Sequence, residues 1–400
     1  MTRQELDIVI VGGGIAGCSA AIALTAIGHK VRILEKQAAW RFQSSGIFVY
    51  SNGLASMQEL GVMQDMIAAG FPVPGGRNSY FDHHGTPITA SFYPSADGGK
   101  IPAILGIKRA EIHRVLARRM EQTGVQIDLD SSVAALDQAD DRVHLQLTDG
   151  RQLDCDLLIG ADGVRSVTRS LMGLDLAPRY TGFGVWRSVH RRPADLQDKI
   201  MMMGPAKRFG IMPISADRLY TFGTVAEPED SFFAPADWPR LMQERFAEFG
   251  GPAAPFLQEL DGEAEVLYTA VEEVVLPLPW HRGRVLLIGD AAHASTPFMG
   301  QGGAMAIQDA VILARALTRH SDMEAALTAF GKARTGPCQF VQAVSRAVGE
   351  AGANEDSANL ASRNAELART AQEKVDGFYA RLDALNLEAD EILSQQPAVN

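Results

Sequence analysis

Apolar positions near the start of the chain are arranged as a strand, a helix and a second strand. Residues 6–11 form an apolar run that ends at Gly12, Gly13 and Gly14. An alanine-rich segment follows to residue 27, and residues 31–35 form another apolar run. The unit spans about 30 residues, which is typical of two parallel strands joined by a helix. The pattern therefore predicts the start of a parallel α/β sheet.

The same periodicities predict the elements that follow. Helical spacing covers the segments 52–69, 109–123, 237–249 and 302–317. Strand-like runs lie at 125–129, 143–148, 153–160, 183–189, 199–203, 208–213, 219–225, 264–273 and 284–288. Residues 72–100 are rich in Gly, Pro, His and Ser, which predicts loops and short strands. This order indicates an α/β fold that is interrupted by a mostly antiparallel sheet and then resumes.

The end of the chain is polar and rich in Ala and Glu after residue 345. Apolar residues recur there at helical spacing, namely Leu367, Val375, Phe378, Leu382 and Leu385. We expect this stripe to pack on the body of the protein, with a dimer contact as the alternative. The oligomeric state is therefore left as monomer or homodimer.

Composition and charge narrow the class of protein. A chain of 400 residues predicts two domains, or one large fold with an insertion. The net charge of −11 argues against a nucleic-acid partner, which needs a basic surface. Apolar stretches fall short of the roughly 18 residues that a membrane span needs, and the N-terminal residues lack a signal-peptide pattern. We therefore expect a soluble, cytoplasmic protein without a membrane partner.

The cysteines indicate neither a disulfide framework nor a metal site. Cys18, Cys155 and Cys338 are far apart in the sequence and form no CxxC pair. Such spacing suits a reducing compartment.

The first motif predicts a dinucleotide site. Gly12, Gly14 and Gly17 form a GxGxxG turn between a predicted strand and helix, and Glu35 ends the next strand. The turn needs residues without a Cβ, and the helix N-terminus offers free N–H groups to phosphates. The carboxylate of Glu35 would accept hydrogen bonds from ribose hydroxyls. A tight turn in an ordinary α/β fold is the alternative, and this motif does not separate FAD from NAD.

Two further motifs follow predicted strands. Residues 157–169 read LLIGADGVRSVTR, with an Asp-Gly turn at Asp162 and two arginines. Residues 285–304 bring Gly289-Asp290, then Thr296-Pro297 and a glycine-rich stretch that opens a helix. Asp290 is placed to hold a sugar-like polyol, and residues 300–304 form a second helix start suited to an anion.

These three motifs, in this order and spacing, resemble the class A flavoprotein monooxygenases, the para-hydroxybenzoate hydroxylase-like family. The resemblance covers residues 5–345 and is strongest to single-component hydroxylases of heteroaromatic rings such as urate or alkylquinolones. It implies a discontinuous Rossmann-like FAD-binding domain at 1–75, 101–178 and 277–345. A substrate-binding β-sheet domain would comprise 76–100 and 179–276, followed by a C-terminal helical segment at 346–400.

The resemblance implies tight, non-covalent FAD and assigns it residues along the whole cofactor. Gly12, Gly14, Ala16 and Gly17 would contact the pyrophosphate, and Glu35 and Lys36 the adenosine ribose. The remaining predicted cofactor residues are Phe48 along the cofactor beside Ile47, Arg109 reaching it, Val133 near the adenine, Asp162, Asp290 at the ribityl or phosphate portion, and Gly300, Gln301, Gly302, Gly303 and Ala304 at the flavin pyrimidine edge. For Arg109 a solvated surface charge is the alternative.

On the substrate side, alternation would point Arg208 and Met212 to one face of a strand, and Tyr220 and Phe222 to one face of its neighbour. Arg208 and Tyr220 resemble residues that face the substrate in urate-type relatives, and Pro297 would shape the wall facing the ring. The alternative is an arginine on the sheet surface and a tyrosine in the core. His293 is expected to order its loop rather than to transfer protons.

Phe298 stands where the urate-type relatives carry an acidic residue. Together with Met212, Phe222 and residues 201–203 it predicts a more apolar pocket, suited to a phenol, an indole or a quinolone-like ring. This departure argues against urate itself.

The implied reaction is hydroxylation of a small aromatic substrate by NAD(P)H and O₂ through a flavin C4a-hydroperoxide. The chain has no second GxGxxG between 100 and 300, so NAD(P)H would bind transiently in an open groove. Arg41, Arg187, Arg191 and Arg192 are candidates for its phosphates, with surface solvation as the alternative. The same fold with epoxidase, oxidase or reductase chemistry, and a non-catalytic FAD-binding redox sensor, stay open as alternatives.

Overall fold

The computed structural model describes residues 5–40, 45–139, 141–229, 231–262, 264–353 and 359–395. The described strands, in chain order, are β1 (Asp7–Val11), β2 (Lys30–Glu35), β3 (Gly46–Tyr50), β4 (Phe71–Pro72), β5 (Arg77–Asp82), β6 (Pro87–Phe92), β7 (Ile104–Lys108), β8 (Gln126–Leu129), β9 (Val133–Ala139), β10 (Arg142–Leu147), β11 (Gln152–Cys155), β12 (Leu157–Gly160), β13 (Arg179–Arg191), β14 (Lys199–Met203), β15 (Lys207–Pro213), β16 (Arg218–Ala226), β17 (Val266–Glu273), β18 (His281–Arg282) and β19 (Val285–Leu287). The described helices are α1 (Ile15–Ala26), α2 (Ser51–Glu59), α3 (Met63–Ala69), α4 (Arg109–Gln122), α5 (Val167–Leu171), α6 (Trp238–Arg245), α7 (Ala254–Gln258), α8 (Asp290–His293), α9 (Gly302–Arg319), α10 (Met323–Ala353) and α11 (Leu360–Ser394). Arg41 lies outside the described residues.

The predicted dinucleotide motifs belong to one largely parallel sheet. Its strand order is β18-β19-β12-β1-β2-β8, and only the edge strand β18 runs antiparallel to its neighbour. Helices α1 and α9 contact each other beside the sheet. Strands β1, β12 and β19 lie side by side, and each leads at its carboxyl end into one of the three motifs. Because parallel strands end at the same edge, the motifs meet there.

A second, seven-stranded sheet has the order β17-β13-β16-β15-β14-β5-β6. Its pairs are antiparallel except for β14 with β5. One face is covered by α6 and α7 and buries a core that includes Trp186, Phe209 and Phe246. Strands β5 and β6 come from residues 77–92, so this sheet joins two distant segments of the chain. We propose for the folded protein the same two-part division that the sequence predicts.

The structure differs from the predicted elements in several places, of which four bear on the organisation of the fold. The single strand predicted at 153–160 is two strands, β11 and β12, which belong to different sheets. The helix predicted at 52–69 is interrupted near Gly61, whose φ of 71° is left-handed and ends α2. Strand β9 and the 31-residue helix α10 lie outside the segments that the pattern marked. The predicted C-terminal boundary at 346 therefore falls inside α10.

Helix α11 packs along the body, as its apolar stripe predicts. Val375, Phe378, Leu382 and Leu385 are buried, and Leu367 is half-buried. The helix contacts α10 and β6 of the same chain. None of the helices in the described ranges combines the length and apolar character needed to cross a membrane.

Candidate active site

The three motifs line one end of a cavity of about 380 Å³ whose other end is the free face of the seven-stranded sheet. Its lining residues are Gly14, Ile15, Ala16, Ser45, Gly46, Ile47, Phe48, Arg109, Ala161, Gly163, Val185, Arg187, Met201, Arg208, Tyr220, Phe222, Thr224, Leu267, Thr269, Asp290, Ser295, Thr296, Pro297, Phe298, Gly300, Gly302, Gly303 and Ala306. Another cavity, of about 370 Å³, is lined by α1, α4 and α9, away from the three motifs. Shape alone therefore does not choose the site, whereas the convergence of the motifs does.

The glycine-rich turn has the shape that a pyrophosphate needs. Gly12 has a left-handed φ of 101°, and a Cβ there would lie 2.6 Å from the Ala161 carbonyl oxygen. A Cβ at Gly17 would overlap the carbonyl oxygen of Gly12, so α1 can approach β1 only with glycine there. A Cβ at Gly14, by contrast, would meet no heavy atom within 4 Å. This glycine therefore leaves room in front of the N-terminus of α1, where an anion is favoured.

Glu35 lies at the end of β2 beside the turn. Its carboxylate accepts hydrogen bonds from the backbone N–H groups of Gly13, at 2.8 Å, and of Gln37, at 2.9 Å. Lys36 is exposed next to it, and Val133 is 2% exposed at the start of β9. The predicted ribose acceptor is thus fixed to the glycine-rich turn.

Two aromatic residues that the sequence analysis missed hold the other side of this turn. His113 Nε2 lies 2.6 Å from the Gly13 carbonyl oxygen, and burial lowers the pKa of His113 although this contact opposes the shift. The ring of Trp40 meets His113 edge-on at 5.0 Å and covers Gly13. The spacing of the sequence could have predicted His113, because it follows the predicted cofactor residue Arg109 by one helical turn and lies on the same side of α4.

Hydrogen bonds among its own residues stabilise the loop that contains the Asp-Gly motif. The Asp162 carboxylate accepts hydrogen bonds from the hydroxyl of Ser166, at 2.5 Å, and from the N–H and hydroxyl of Thr168. Arg169 is buried and donates to the Ala291 carbonyl oxygen at 2.9 Å. In this structure Asp162 therefore shapes the loop, and Arg169 joins it to the Gly-Asp motif.

Asp290 begins α8 and is exposed at the cavity. Its carboxylate makes no hydrogen bond to any described residue. Such an acceptor fits a polyol hydroxyl, which is the role predicted for it.

A buried ion-pair network supports the loop behind Asp290. Asp309 accepts hydrogen bonds from the Gly289 N–H and from Arg334, and His293 Nε2 lies 2.6 Å from Asp309. Burial alone would lower the pKa of His293, but Asp309 and Cys338 outweigh it and hold the pKa well above its usual value. His293 is thus a loop-ordering residue, as predicted.

The same network brings three potential metal ligands together. Donor atoms of His293, Asp309 and Cys338 lie within 4.8 Å of one another. The guanidinium of Arg334 already pairs with Asp309 at 2.7 Å and lies 3.5 Å from the Cys338 sulfur. This cation already contacts two of the three donors, so the donor set fits an ion pair better than a metal.

The start of α9 faces the cavity through its glycines. Gly300 is left-handed, with φ 64°, and Gly302 and Gly303 line the cavity with it. The side chain of Gln301 points away, toward Tyr379 and Asn52, so only its backbone can serve a ligand there. Ala304 is buried, and its Cβ lies close to Gly53 of α2.

Strand register explains which side chains of the sheet face the cavity. Arg208 pairs with Thr224, and Gly210 pairs with Phe222. The side chains of Arg208, Thr224 and Phe222 therefore lie on the same face of the sheet. Phe222 is also the partner of Arg187 on β13. Arg187 was predicted to be either a candidate for the phosphates of NAD(P)H or a solvated surface residue. In the structure it lines the cavity with Tyr220 and Arg208.

Tyr220 and Arg187 form a polar pair on this apolar face. Burial raises the pKa of Tyr220, although a hydrogen bond with Arg187 opposes the shift. Arg187 is held by the hydroxyl of Thr269. Arg208 lines the cavity at its far side, where a Cβ on Gly352 of α10 would lie 2.9 Å from the Arg208 Cζ.

The apolar lining is partly as predicted. Phe222, Phe298 and Met201 line the cavity. Met212, which the sequence analysis counted with them, is fully buried beneath the cavity against Gly106 of β7. Met202 faces the opposite side of the sheet and belongs to the core under α6.

The FAD binding domain family matches residues 5–345 of the chain. The chain belongs to this family. This match, together with the relatives described next, confirms the predicted class A flavoprotein monooxygenase, the FAD cofactor and the monooxygenase activity class. The glycine-rich turn, the free carboxylate of Asp290 and the start of α9 fit FAD, because they offer phosphate, polyol and ring-edge contacts along one cavity.

Named members of this FAD-dependent family match nearly the whole chain. Aurachin C monooxygenase/isomerase of Stigmatella aurantiaca is 30% identical over 95% of this chain and 98% of its own. The 2-heptyl-3-hydroxy-4(1H)-quinolone synthase of Pseudomonas aeruginosa is 31% identical over 90% and 93%. The FAD-dependent urate hydroxylase of Mycolicibacterium vanbaalenii is 33% identical over 82% and 84%.

A solved structure agrees with the fold of this FAD-dependent monooxygenase. Klebsiella pneumoniae HpxO in complex with FAD and uric acid superposes with a TM-score of 0.83 at 26% identity, covering 97% of each chain. The predicted architecture, a FAD-binding fold with an inserted sheet and C-terminal helices, is confirmed.

Proposed function

We propose that this monooxygenase hydroxylates a small, flat and mostly apolar aromatic or heteroaromatic ring, with NAD(P)H as electron donor. One observation carries the proposal. A single cavity is lined at one end by the cofactor motifs and at the other by an apolar sheet face that holds Arg187 and Tyr220. A ring bound on that face would lie next to the end of the cavity assigned to the flavin.

We assign the cofactor contacts from the motifs. Of the assigned residues, those that also line the cavity are Gly14, Ala16, Phe48, Arg109, Asp290, Gly300, Gly302 and Gly303. Gly12, Gly14, Ala16 and Gly17 would hold the pyrophosphate, and Glu35 with Lys36 the adenosine ribose. The other proposed contacts are Val133 at the adenine, Arg109, Asp162 and Asp290 along the chain of the cofactor, Phe48 beside it, and the backbone of residues 300–304 at the pyrimidine edge.

When bound, the flavin would supply the redox chemistry of a reaction in which NAD(P)H provides two electrons, one oxygen atom of O₂ is added to the ring and the other leaves as water. The chain supplies the binding and the electrostatics. Tyr220 can hydrogen-bond a ring oxygen or nitrogen, and Arg187 and Arg208 can stabilise negative charge that develops on the substrate. Pro297 and Phe298 would shape the wall opposite the sheet.

The lining favours an apolar ring over urate. Phe298 contributes a phenyl ring to the wall, which meets Phe183 edge-on at 5.0 Å. Val185, Met201, Phe222 and Leu267 add apolar surface on the sheet. The names of the relatives include a quinolone, and we propose a phenol, an indole or a quinolone-like ring for this chain.

The proposal is tested with purified protein, FAD, NADH or NADPH, and a panel of phenols, indoles, quinolones and urate. The expected result is substrate-stimulated oxidation of NAD(P)H, matching O₂ uptake and a product that gains one oxygen atom by mass spectrometry. Formation of product without NAD(P)H would indicate an oxidase. An epoxide product would indicate an epoxidase, and a reduced product would indicate a reductase. Bound FAD without turnover of any ring would favour the redox-sensor alternative.

A further inference from the structure

A buried lysine lies directly behind the proposed cofactor site. Lys199, the first residue of β14, is 4% exposed. Its Nζ donates to the hydroxyls of Tyr50, at 3.0 Å, and Tyr93, at 3.4 Å. It also lies 5.0, 5.5 and 4.9 Å from the ring centroids of Phe48, Tyr50 and Tyr93, which together we call the Lys199 cage. No carboxylate within the described ranges pairs with this ammonium group.

The Lys199 cage adjoins the turn before α9. A Cβ at Gly300 would lie 3.2 Å from Tyr50 Cε2 and 3.4 Å from Phe48 Cδ2. Phe48 and Gly300 also line the cavity. The ammonium group is therefore separated from the cavity by a single aromatic layer, next to the backbone that we assign to the pyrimidine edge of the flavin.

We propose that Lys199 is a positioning residue for the cofactor whose ammonium group stabilises the negative charge that the bound flavin acquires on reduction. The inference rests on the proposed placement of the flavin ring. A cation without a nearby carboxylate is costly to bury, and aromatic faces and two hydroxyls offset that cost only in part. A reduced flavin on the far side of Phe48 would be attracted by the ammonium group of Lys199. This attraction is only weakly screened, because the aromatic side chains between the two charges exclude water.

Among Lys199 and the tyrosines around it, only Lys199 changes its charge near neutral pH. Burial lowers the pKa of Lys199 to about 7. Burial also raises the pKa of Tyr50, Tyr93 and Tyr379 well above the usual value, so these phenols stay neutral. Tyr80 on β5 is a further titratable neighbour of Tyr50 and Tyr93. Beyond Tyr379 on α11 lies Asp383, whose pKa is raised by burial.

The test compares the redox equilibrium of bound FAD in the wild type, Lys199→Met and Lys207→Met. Lys207 lies in the same sheet and already has a partner, Glu248, at 2.8 Å, so it is the matched control. At one fixed solution potential near pH 6, we expect the ratio of reduced to oxidised flavin to be about tenfold lower in Lys199→Met than in the other two proteins. Near pH 9 the three ratios should converge, because Lys199 is then neutral in the wild type.

Equal ratios in the wild type and Lys199→Met at both pH values would overturn the proposal. If Lys199→Met does not retain FAD, the proposal is tested on the wild-type holoenzyme instead. The pH titration of its ¹³C-labelled lysines is then followed by NMR with oxidised and with reduced flavin. The lysine resonance that titrates near neutral pH should titrate at higher pH when the flavin is reduced, and an unchanged midpoint would equally overturn the proposal. A wild type that takes up no FAD would instead contradict the proposed function.

Discussion

Two aspartates of the cofactor motifs differ in how many hydrogen bonds they already accept within the protein. Asp162 accepts three hydrogen bonds inside its own loop, whereas Asp290 is exposed and accepts none from the described residues. A carboxylate that is already satisfied gains little from a ligand, while a free one gains a new hydrogen bond. Of the two aspartates, Asp290 is therefore the one whose loss should affect FAD most.

Asp290→Ala is expected to weaken FAD binding at least tenfold, so that the purified protein loses its yellow colour. The cause is the loss of the acceptor for a polyol hydroxyl. Absorbance and an FAD titration measure the effect, with Asp175→Ala as control because Asp175 is exposed and outside the cavity. A fully yellow Asp290→Ala protein would disprove the role assigned to Asp290.

Arg187→Gln is expected to raise the KM for the aromatic substrate about tenfold while leaving FAD bound. The guanidinium lies beside the Tyr220 hydroxyl on the sheet face, and a charged hydrogen bond there contributes roughly 1.5–3 kcal/mol. Steady-state kinetics and the flavin spectrum measure the two effects. Arg218→Gln, on the neighbouring strand β16 but exposed and outside the cavity, is the control, and equal kinetic changes in both variants would exclude the role proposed for Arg187.

Lys199 also predicts how stability depends on pH. Its pKa is about 7 in the folded protein and has the ordinary lysine value of about 10.4 in the unfolded chain, so the unfolded chain binds more protons between these values. Stability from this group is therefore present above pH 10 and is lost as pH falls toward 7. Relative to Lys199→Met, the wild type should lose roughly 3 kcal/mol between about pH 9.5 and about pH 7.

Urea denaturation at constant excess FAD, over that pH range, measures this difference. Below pH 7 the difference should stay constant, because both states of the wild type are then protonated. A difference that is the same from pH 6 to pH 9.5 would show that Lys199 has an ordinary pKa in the folded protein.

At the scale of secondary-structure elements, Asp309 joins three helices. It lies on α9, pairs with His293 on α8 and with Arg334 on α10, and also accepts from the Gly289 N–H. The loop that presents Asp290 is thus fixed from behind by a fully buried network. Removing one partner of such a network leaves buried charges without compensation.

Asp309→Ala is expected to lower the free energy of unfolding by about 3–5 kcal/mol and to weaken FAD binding through the loop. Chemical denaturation and an FAD titration measure the two effects. Asp376→Ala on the exposed side of α11 is the control. A loss below about 1 kcal/mol would show that the network contributes little.

The sequence predicts the motif-bearing elements well because each has a strong local signal. Strand β1, the turn at Gly12 and α1 follow from an apolar run, glycines and an alanine-rich helix. Helix α4 is predicted to within one residue of its end at Gln122. The split of residues 153–160 into β11 and β12 has no such signal, because the two strands separate only when each pairs with a different sheet.

The sequence predicts the cavity residues that belong to a motif. It does not predict those whose position depends on how two strands pair. Alternation predicts that Tyr220 and Phe222 share one face of β16, and both line the cavity. Alternation could not place Arg187 beside them, because its position opposite Phe222 depends on how β13 pairs with β16, a strand farther along the chain. Met212 alternates correctly with Arg208 but is covered by β7, which alternation along one strand cannot show.

At the scale of the whole molecule, the cavity exists because two sheets meet. The parallel sheet brings three distant motifs to one edge, and the seven-stranded sheet closes the space above them with its free face. Neither sheet alone lines both ends of the cavity. We therefore propose that a single bound FAD extends from Gly14 to the start of α9 and presents its ring to Arg187, Tyr220 and Phe222.

A crystal structure of the protein with bound FAD tests this claim most directly. The account predicts the pyrophosphate at the Gly12–Gly17 turn, a hydroxyl of the cofactor on Asp290, and the flavin ring between Gly300 and the face of the seven-stranded sheet. A flavin ring bound outside this cavity, or separated from Tyr220 and Phe222 by a wall of protein, would contradict it.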